Sequence, residues 1–102
     1  MNERITPAAA KALMEKAGGQ RWATIFKKGR LELEYYAPVK TDPQQPHTRN
    51  EVYFVISGRG TFVMDGKPQE FGPGEVIYAP AGVPHRFEKF SDDFATWAIF
   101  EG

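Results

Sequence analysis

From residue 22 onward, the chain is a series of short apolar or alternating segments separated by turn-forming glycine and proline residues. In Leu31–Tyr36, the first four residues alternate between leucine and glutamate, and this two-residue period is that of a half-buried strand. Asp65-Gly66 is a strong hairpin-turn signal, and Gly72-Pro73-Gly74 turns the chain again. Further strands are predicted at residues 52–56, 61–64, 75–79, 86–90 and 94–100. This pattern predicts an all-β domain, an antiparallel sandwich or barrel.

One segment has the features of a helix, at residues 6–17. Thr6 can cap its N-terminus, and Gly18-Gly19 can end it. Pro7 suits the first turn, because backbone N–H groups there have no partner within the helix and the lack of one costs nothing. A helix this short needs a surface to pack on. A length of 102 residues suits one domain, so we expect a helical segment at residues 1–21 packed on a β-barrel domain of residues 22–102.

The charge balance and the absence of cysteine exclude several kinds of site and partner. Thirteen Lys and Arg residues balance thirteen Asp and Glu residues without a basic stripe, which argues against nucleic acid as a partner. Without cysteine, the chain has no disulfide, no thiolate metal site and no cysteine nucleophile. No segment resembles a signal peptide or a membrane span, so we expect a cytoplasmic protein with no membrane partner.

Two histidines and one glutamate form the pattern that points most directly to chemistry. His47 and Glu51 lie four residues apart at the start of a predicted strand, so their side chains can share one face. His85, the only other histidine, also follows a proline at a loop-to-strand junction. Two imidazoles and a carboxylate suit Fe(II) and related divalent metals and leave coordination positions open. Gln45 shares the predicted face of His47, and it can offer a weaker fourth ligand or hydrogen-bond a metal-bound water.

The segments around these residues resemble the two motifs of the cupin superfamily. The first motif is matched by His47, Glu51 and Gly58 at the family spacing, with Gln45 and Val39 in place of its first histidine and opening glycine. The second motif is matched by Gly74, Pro80, Gly82 and His85. It departs from the family at one position, where Lys89 replaces an asparagine. The short segment between the motifs is typical of compact single-domain cupins, the cupin 2 type.

The resemblance implies a jelly-roll barrel that binds one divalent metal ion through His47, Glu51 and His85, with Gln45 as a further candidate ligand. The pattern does not distinguish Fe, Mn, Ni, Zn and Co. The resemblance favours a small metalloenzyme that acts on a metal-chelating organic substrate, by a dioxygenase-like, oxygen-dependent oxidation. The alternatives are a metal-assisted isomerase, cyclase or lyase, and a non-catalytic module that binds or senses a small molecule. Glu51 is expected to be a ligand, and no residue is assigned a catalytic role.

Four further residues are candidates for the wall of a substrate or ligand cavity. Tyr36, Tyr53 and Phe87 are aromatic side chains that also suit a core, and the eight Phe, four Tyr and two Trp predict an interior rich in aromatic rings. Arg49 lies on the face predicted for the metal ligands and can bind an anionic substrate there, unless a bulge turns it to solvent. Segments 52–56 and 94–100 are apolar on both faces, so we expect a homodimer to cover their outer faces.

Overall fold

A computed structural model describes residues 4–102, which form one helix and eight strands. The helix, α1 (Pro7–Lys16), lies within the predicted residues 6–17. The Thr6 hydroxyl accepts a hydrogen bond from the Ala9 N–H at 3.1 Å, so it caps the first turn. Gly18 follows the last turn with φ = 83°, a conformation that glycine adopts without strain. The predicted helix and both of its ends are therefore confirmed.

The strands form two antiparallel sheets. Their bounds are β1 (Trp22–Lys28), β2 (Leu31–Tyr36), β3 (Asn50–Ser57), β4 (Gly60–Met64), β5 (Lys67–Phe71), β6 (Val76–Ala79), β7 (His85–Glu88) and β8 (Ala95–Glu101). The five-stranded sheet has the order β1-β2-β8-β3-β6, and the three-stranded sheet has the order β5-β4-β7. The predicted all-β antiparallel architecture is confirmed, although strand pairing does not join the two sheets into one closed cylinder.

The two sheets enclose a core made mainly of aromatic rings. Tyr53 on β3, Phe62 on β4 and Phe87 on β7 are buried there, with ring centroids 4.8–5.8 Å apart. Phe71 and Phe94 belong to the same buried cluster. Tilted and edge-to-face pairs of this kind add to the stabilisation that burial of their area provides. The predicted aromatic interior is confirmed.

Strand β2 turns its glutamates, rather than its leucines, toward the interior. Glu32 is paired in register with Phe100, a member of the aromatic core, and Glu34 is paired with the buried Ala98. Paired residues on adjacent strands share a face, so both carboxyl groups lie on the inner side. Leu31, on the opposite face, is exposed. The charged face of β2 therefore borders the space between the sheets.

Helix α1 covers only part of the outer face of the five-stranded sheet. Ala10 and Met14 of the helix pack in a second apolar cluster with Tyr35 of β2. Beyond the helix, Phe54 on β3 is 42% exposed, so the single chain leaves part of the outer face of segment 52–56 uncovered. Within residues 4–102, no helix has the length and apolar character needed to cross a membrane.

A glycine is required at the turn between β3 and β4. Gly58 has φ = 85°, and a Cβ atom added there would lie 2.5 Å from the Cα atom of Phe94. Real Cβ atoms do not approach backbone so closely, so any side chain at this position would displace the chain around Phe94. The position keeps the turn packed against the segment that leads into β8.

Candidate metal centre

The three predicted metal ligands come together from both sheets. His47 lies in the loop before β3, Glu51 is the second residue of β3, and His85 is the first residue of β7. The two loops are joined directly, because the Gly82 N–H donates a hydrogen bond to the His47 carbonyl oxygen at 2.7 Å. This bond links the two segments that the sequence separates by more than thirty residues.

The side chains of these three residues meet at one carboxylate oxygen. Glu51 Oε1 lies 2.7 Å from His47 Nε2 and 3.2 Å from His85 Nε2. One ligand atom from each residue lies within 4.8 Å of the other two. Glu51 and His85 are only 1% and 6% exposed, while His47 is half-buried. The cluster is therefore enclosed on the core side and reaches solvent through His47.

Backbone carbonyl groups fix the orientation and the tautomer of both imidazoles. His47 Nδ1 lies 2.9 Å from the Arg49 carbonyl oxygen, and His85 Nδ1 lies 2.9 Å from the Val83 carbonyl oxygen. A carbonyl oxygen only accepts, so each Nδ1 carries the proton and donates it. In the neutral rings the Nε2 lone pairs then face Glu51, and three electron-pair donors converge. Only a cation or an added proton between them relieves this arrangement, so the donor set fits a divalent metal.

The protonation of His85 follows from the same contacts. Burial lowers the pKa of His85, but the hydrogen bonds with the Glu51 carboxylate and the Val83 carbonyl outweigh it and raise the pKa above its ordinary value of 6.5. In the metal-free protein, a proton on His85 supplies the positive charge that a buried carboxylate favours. A metal ion has to displace this proton, so acid opposes metal binding.

A buried carboxylate anchors the loop that carries His47, and no sequence pattern had singled it out. Asp42 accepts hydrogen bonds from the Phe87 N–H at 2.8 Å, from Gln44 Nε2 at 2.7 Å and from the Tyr36 hydroxyl. Gln44 Oε1 in turn accepts a hydrogen bond from the Tyr53 hydroxyl at 2.8 Å. Because every member of this buried network is partnered, it fixes the course of the loop beside the metal cluster.

The structure turns Gln44, rather than Gln45, toward the interior. Gln45 is exposed and lines a separate cavity of about 300 Å³ with His85 and Arg86. Strand alternation does not apply to Gln45, because β3 begins only at Asn50 and the residues before it form a loop. Its role as a fourth ligand stays a prediction.

Of the three predicted aromatic wall residues, one lines the cavity beside the metal cluster. Tyr36 borders this open cavity of about 250 Å³, next to Glu51. Tyr53 and Phe87 are buried in the aromatic core instead. Burial and the neighbouring carboxylates raise the pKa of Tyr36 and Tyr53, so both hydroxyl groups stay protonated and act as donors.

Arg49 is already neutralised by the chain. Its Nη1 donates a hydrogen bond to Glu32 Oε1 at 2.6 Å, and its guanidinium carbon lies 4.4 Å from the centroid of the Phe100 ring. The Glu32 carboxylate offsets the guanidinium charge, although the other guanidinium N–H groups can still donate hydrogen bonds. Binding of an anionic substrate by Arg49 stays a prediction.

Several residues of the cavity were not singled out by the sequence patterns. Trp22 and Glu34 line it beside Tyr36. The alternation of β2 puts Glu34 on the same face as Tyr36, but it does not show that this face points inward. Burial, followed by the nearby carboxylates of Glu32 and Glu51, raises the pKa of Glu34 from 4.5 to about 7. The cavity thus holds a carboxyl group that changes its charge near neutral pH.

Comparison with known proteins assigns most of the chain to one family and finds relatives with several activities. The family model of the cupin domain matches residues 32–99. An uncharacterised protein from Streptomyces coelicolor is 42% identical over 60 residues, which are 59% of this chain and 57% of that protein. Dimethylsulfoniopropionate lyase DddQ from Ruegeria pomeroyi is 31% identical over 61 residues, 59% of this chain and 30% of the lyase. An acireductone dioxygenase from Bacillus velezensis is 41% identical over 46 residues, 40% of this chain and 26% of the enzyme.

The chain therefore spans less than two thirds of the length of each of these relatives. Among solved structures, a cupin 2 conserved barrel domain protein from Salinispora arenicola has a TM-score of 0.74 over 100% of this chain and 89% of that one, at 22% identity. DddQ from Ruegeria pomeroyi has a TM-score of 0.69 over 97% of this chain and 55% of that one, also at 22% identity. At this level of identity, the likeness to the solved structures concerns the fold alone.

Proposed function

Because this chain belongs to the family of cupin domains, we propose that it is a metalloenzyme with one divalent ion at His47, Glu51 and His85 and a small metal-chelating organic substrate. The observation that carries this proposal is the convergence of two imidazole Nε2 atoms and one carboxylate oxygen beside an open cavity. Three protein ligands leave coordination positions for a substrate.

Oxygen-dependent oxidation is the reaction that we place first. Two histidines and one carboxylate with open positions are the ligand set of non-haem Fe(II) oxygenases. The similarity to a dioxygenase over 46 residues supports the same class. A bound ion would supply Lewis acidity and a position at which the substrate is held.

The side chains of this protein have three tasks in that reaction. The Nδ1 hydrogen bonds of both histidines hold the imidazoles in the ligating orientation. The network around Asp42 holds the loop that closes one side of the cavity. The Tyr36 hydroxyl is protonated at neutral pH and donates that proton to Asp42, so it can accept a hydrogen bond from a substrate but cannot serve as a base.

A metal-assisted lyase is a second candidate, and a specific residue favours it. Lyase chemistry requires a group that removes a proton near neutral pH, and Glu34 has a pKa of about 7 in the same cavity. The similarity to dimethylsulfoniopropionate lyase over 61 residues agrees with this candidate. The two candidates differ in a measurable way, because the lyase reaction needs no oxygen.

The test begins with protein purified without oxygen and loaded in turn with Fe, Mn, Ni, Zn or Co. Catechols and 2-keto acids serve as chelating probes, and their products are analysed with and without oxygen. Oxygen uptake coupled to product supports the oxidation, whereas product without oxygen supports the lyase. If the probes bind equally well to metal-free protein and no metal gives turnover, both enzymatic proposals are wrong and the chain is a non-catalytic binding module.

We also propose that two copies of the chain associate through the uncovered outer face of the five-stranded sheet. Phe54 and Val76 are exposed there, and an apolar groove of about 240 Å³ beside them includes Leu33, Trp97 and Ile99. An apolar sheet face can meet its own copy across a two-fold axis, which removes apolar surface from water on both chains. The occupant that we propose is therefore a second copy of this chain.

A further inference from the structure

The chemistry of the 250 Å³ cavity indicates what kind of head group it accepts. Three of the residues that line it are aromatic, Trp22, Tyr36 and Phe100, and two are acidic, Glu34 and Glu51. Among the described residues that line it, none is basic. Aromatic faces and carboxylates both attract cations, whereas neither favours an anion.

Strand register brings one part of this lining into a single patch. Trp22 on β1 is the register partner of Tyr36 on β2, so the two rings are neighbours on the inner face. Glu34 precedes Tyr36 by two residues and points to the same side. Ala98 is the register partner of Glu34 on β8, and its methyl group leaves the space that the cavity occupies.

The carboxyl group of Glu34 has no basic partner among the described residues. The charged groups that act on it are the carboxylates of Glu32 and Glu51 and the guanidinium of Arg49. Arg49 is committed to Glu32 and to the Phe100 ring. Burial and the two carboxylates therefore leave Glu34 short of positive charge, which agrees with its raised pKa.

We propose that this cavity binds a small organic cation, an ammonium, quaternary ammonium or sulfonium head group, with Trp22 and Tyr36 as its walls and Glu34 as its counter-ion. The inference rests on the proposed function in one respect, namely that the other end of the ligand carries the oxygen atoms that chelate the metal. The substrate class is then a small zwitterion or an amino compound. Cation binding itself requires no metal.

The test compares choline with 3,3-dimethylbutan-1-ol, in which carbon replaces the charged nitrogen of choline. The chain has two tryptophans, so in a Trp97→Phe variant the fluorescence reports on Trp22, which is 42% exposed. We expect choline to change this fluorescence saturably, with an affinity about tenfold or more above that of the neutral alcohol. Glu34→Gln should lower the choline affinity about tenfold and leave the alcohol unaffected, while the exposed control Glu70→Gln changes neither.

The same titrations distinguish this inference from the proposed function. They are made on metal-free and on metal-loaded protein, with metal content measured separately. Equal responses to choline and the alcohol, no saturable response to choline, or full choline affinity in Glu34→Gln would overturn the inference even if metal binds. Selective choline binding in a protein that takes up no metal would support the cation site and contradict only the metalloenzyme proposal.

Discussion

Replacing Glu34 by glutamine should stabilise the metal-free protein at alkaline pH. In the folded chain this carboxyl keeps its proton to about pH 7, whereas its ordinary pKa is 4.5. Between these values the folded state binds more protons than the unfolded state, so stability falls as pH rises through this window. The difference corresponds to about 3 kcal/mol at about 1.4 kcal/mol per pH unit. Because the side chain is only half-buried, solvent screening reduces the expected effect to about 1–2 kcal/mol.

Urea denaturation in the presence of a chelator measures this effect. The free energies of unfolding of wild type, Glu34→Gln and the exposed control Glu70→Gln are compared at pH 4, 6 and 8. We expect the Glu34→Gln variant to match wild type at pH 4, to gain stability through pH 6 and to keep its full advantage at pH 8, with no such trend for Glu70→Gln. Equal stability at pH 8, or a full advantage already at pH 4, would refute an origin in the ionisation of Glu34.

Three further predictions concern the turn, the association and the metal ligands. Gly58→Ala should lower the free energy of unfolding by about 2–4 kcal/mol, because the new Cβ would lie 2.5 Å from the backbone of Phe94. Gly66 also has a positive φ, but a Cβ there would have no atom within 4 Å, so the control Gly66→Ala should cost about 1 kcal/mol. Equal losses of unfolding free energy in urea titrations of the two variants would contradict a steric origin. Phe54→Glu should convert a dimer into monomers in light scattering, whereas the exposed helix control Leu13→Glu should not; a monomeric wild type at tens of micromolar would remove the dimer proposal. Metal retention on dialysis should begin to fall above about pH 6.5, because the raised pKa of His85 lets this imidazole take up a proton there, and it should fall further at lower pH. Retention unchanged down to about pH 4 would contradict histidine ligation.

The parts of the fold that were predictable from sequence are those with a local signal. The Thr6 cap and Gly18 delimit α1. Asp65 and Gly66 both have positive φ, which is the conformation that their hairpin signal predicts between β4 and β5. Strand β5 itself has four exposed residues before Phe71 and so lacks an apolar pattern, and its pairing with β4 follows from the turn.

The site was predictable only where its residues belong to a spaced motif. His47, Glu51 and His85 meet as their spacing and family resemblance imply. Glu34 and Asp42 enter the site through register and loop folding, which no local pattern encodes. The alternation of β2 showed two faces but not which of them points inward, because that depends on where α1 packs.

The metal content of the purified protein tests the central claim most directly. Elemental analysis is made on wild type, on the three variants His47→Gln, Glu51→Gln and His85→Gln, and on the exposed control Glu75→Gln, all loaded with the same divalent ion. We expect close to one ion per chain in wild type and in the control, and loss of most of the metal in each of the three ligand variants. Full metal occupancy in the His85→Gln variant would contradict it.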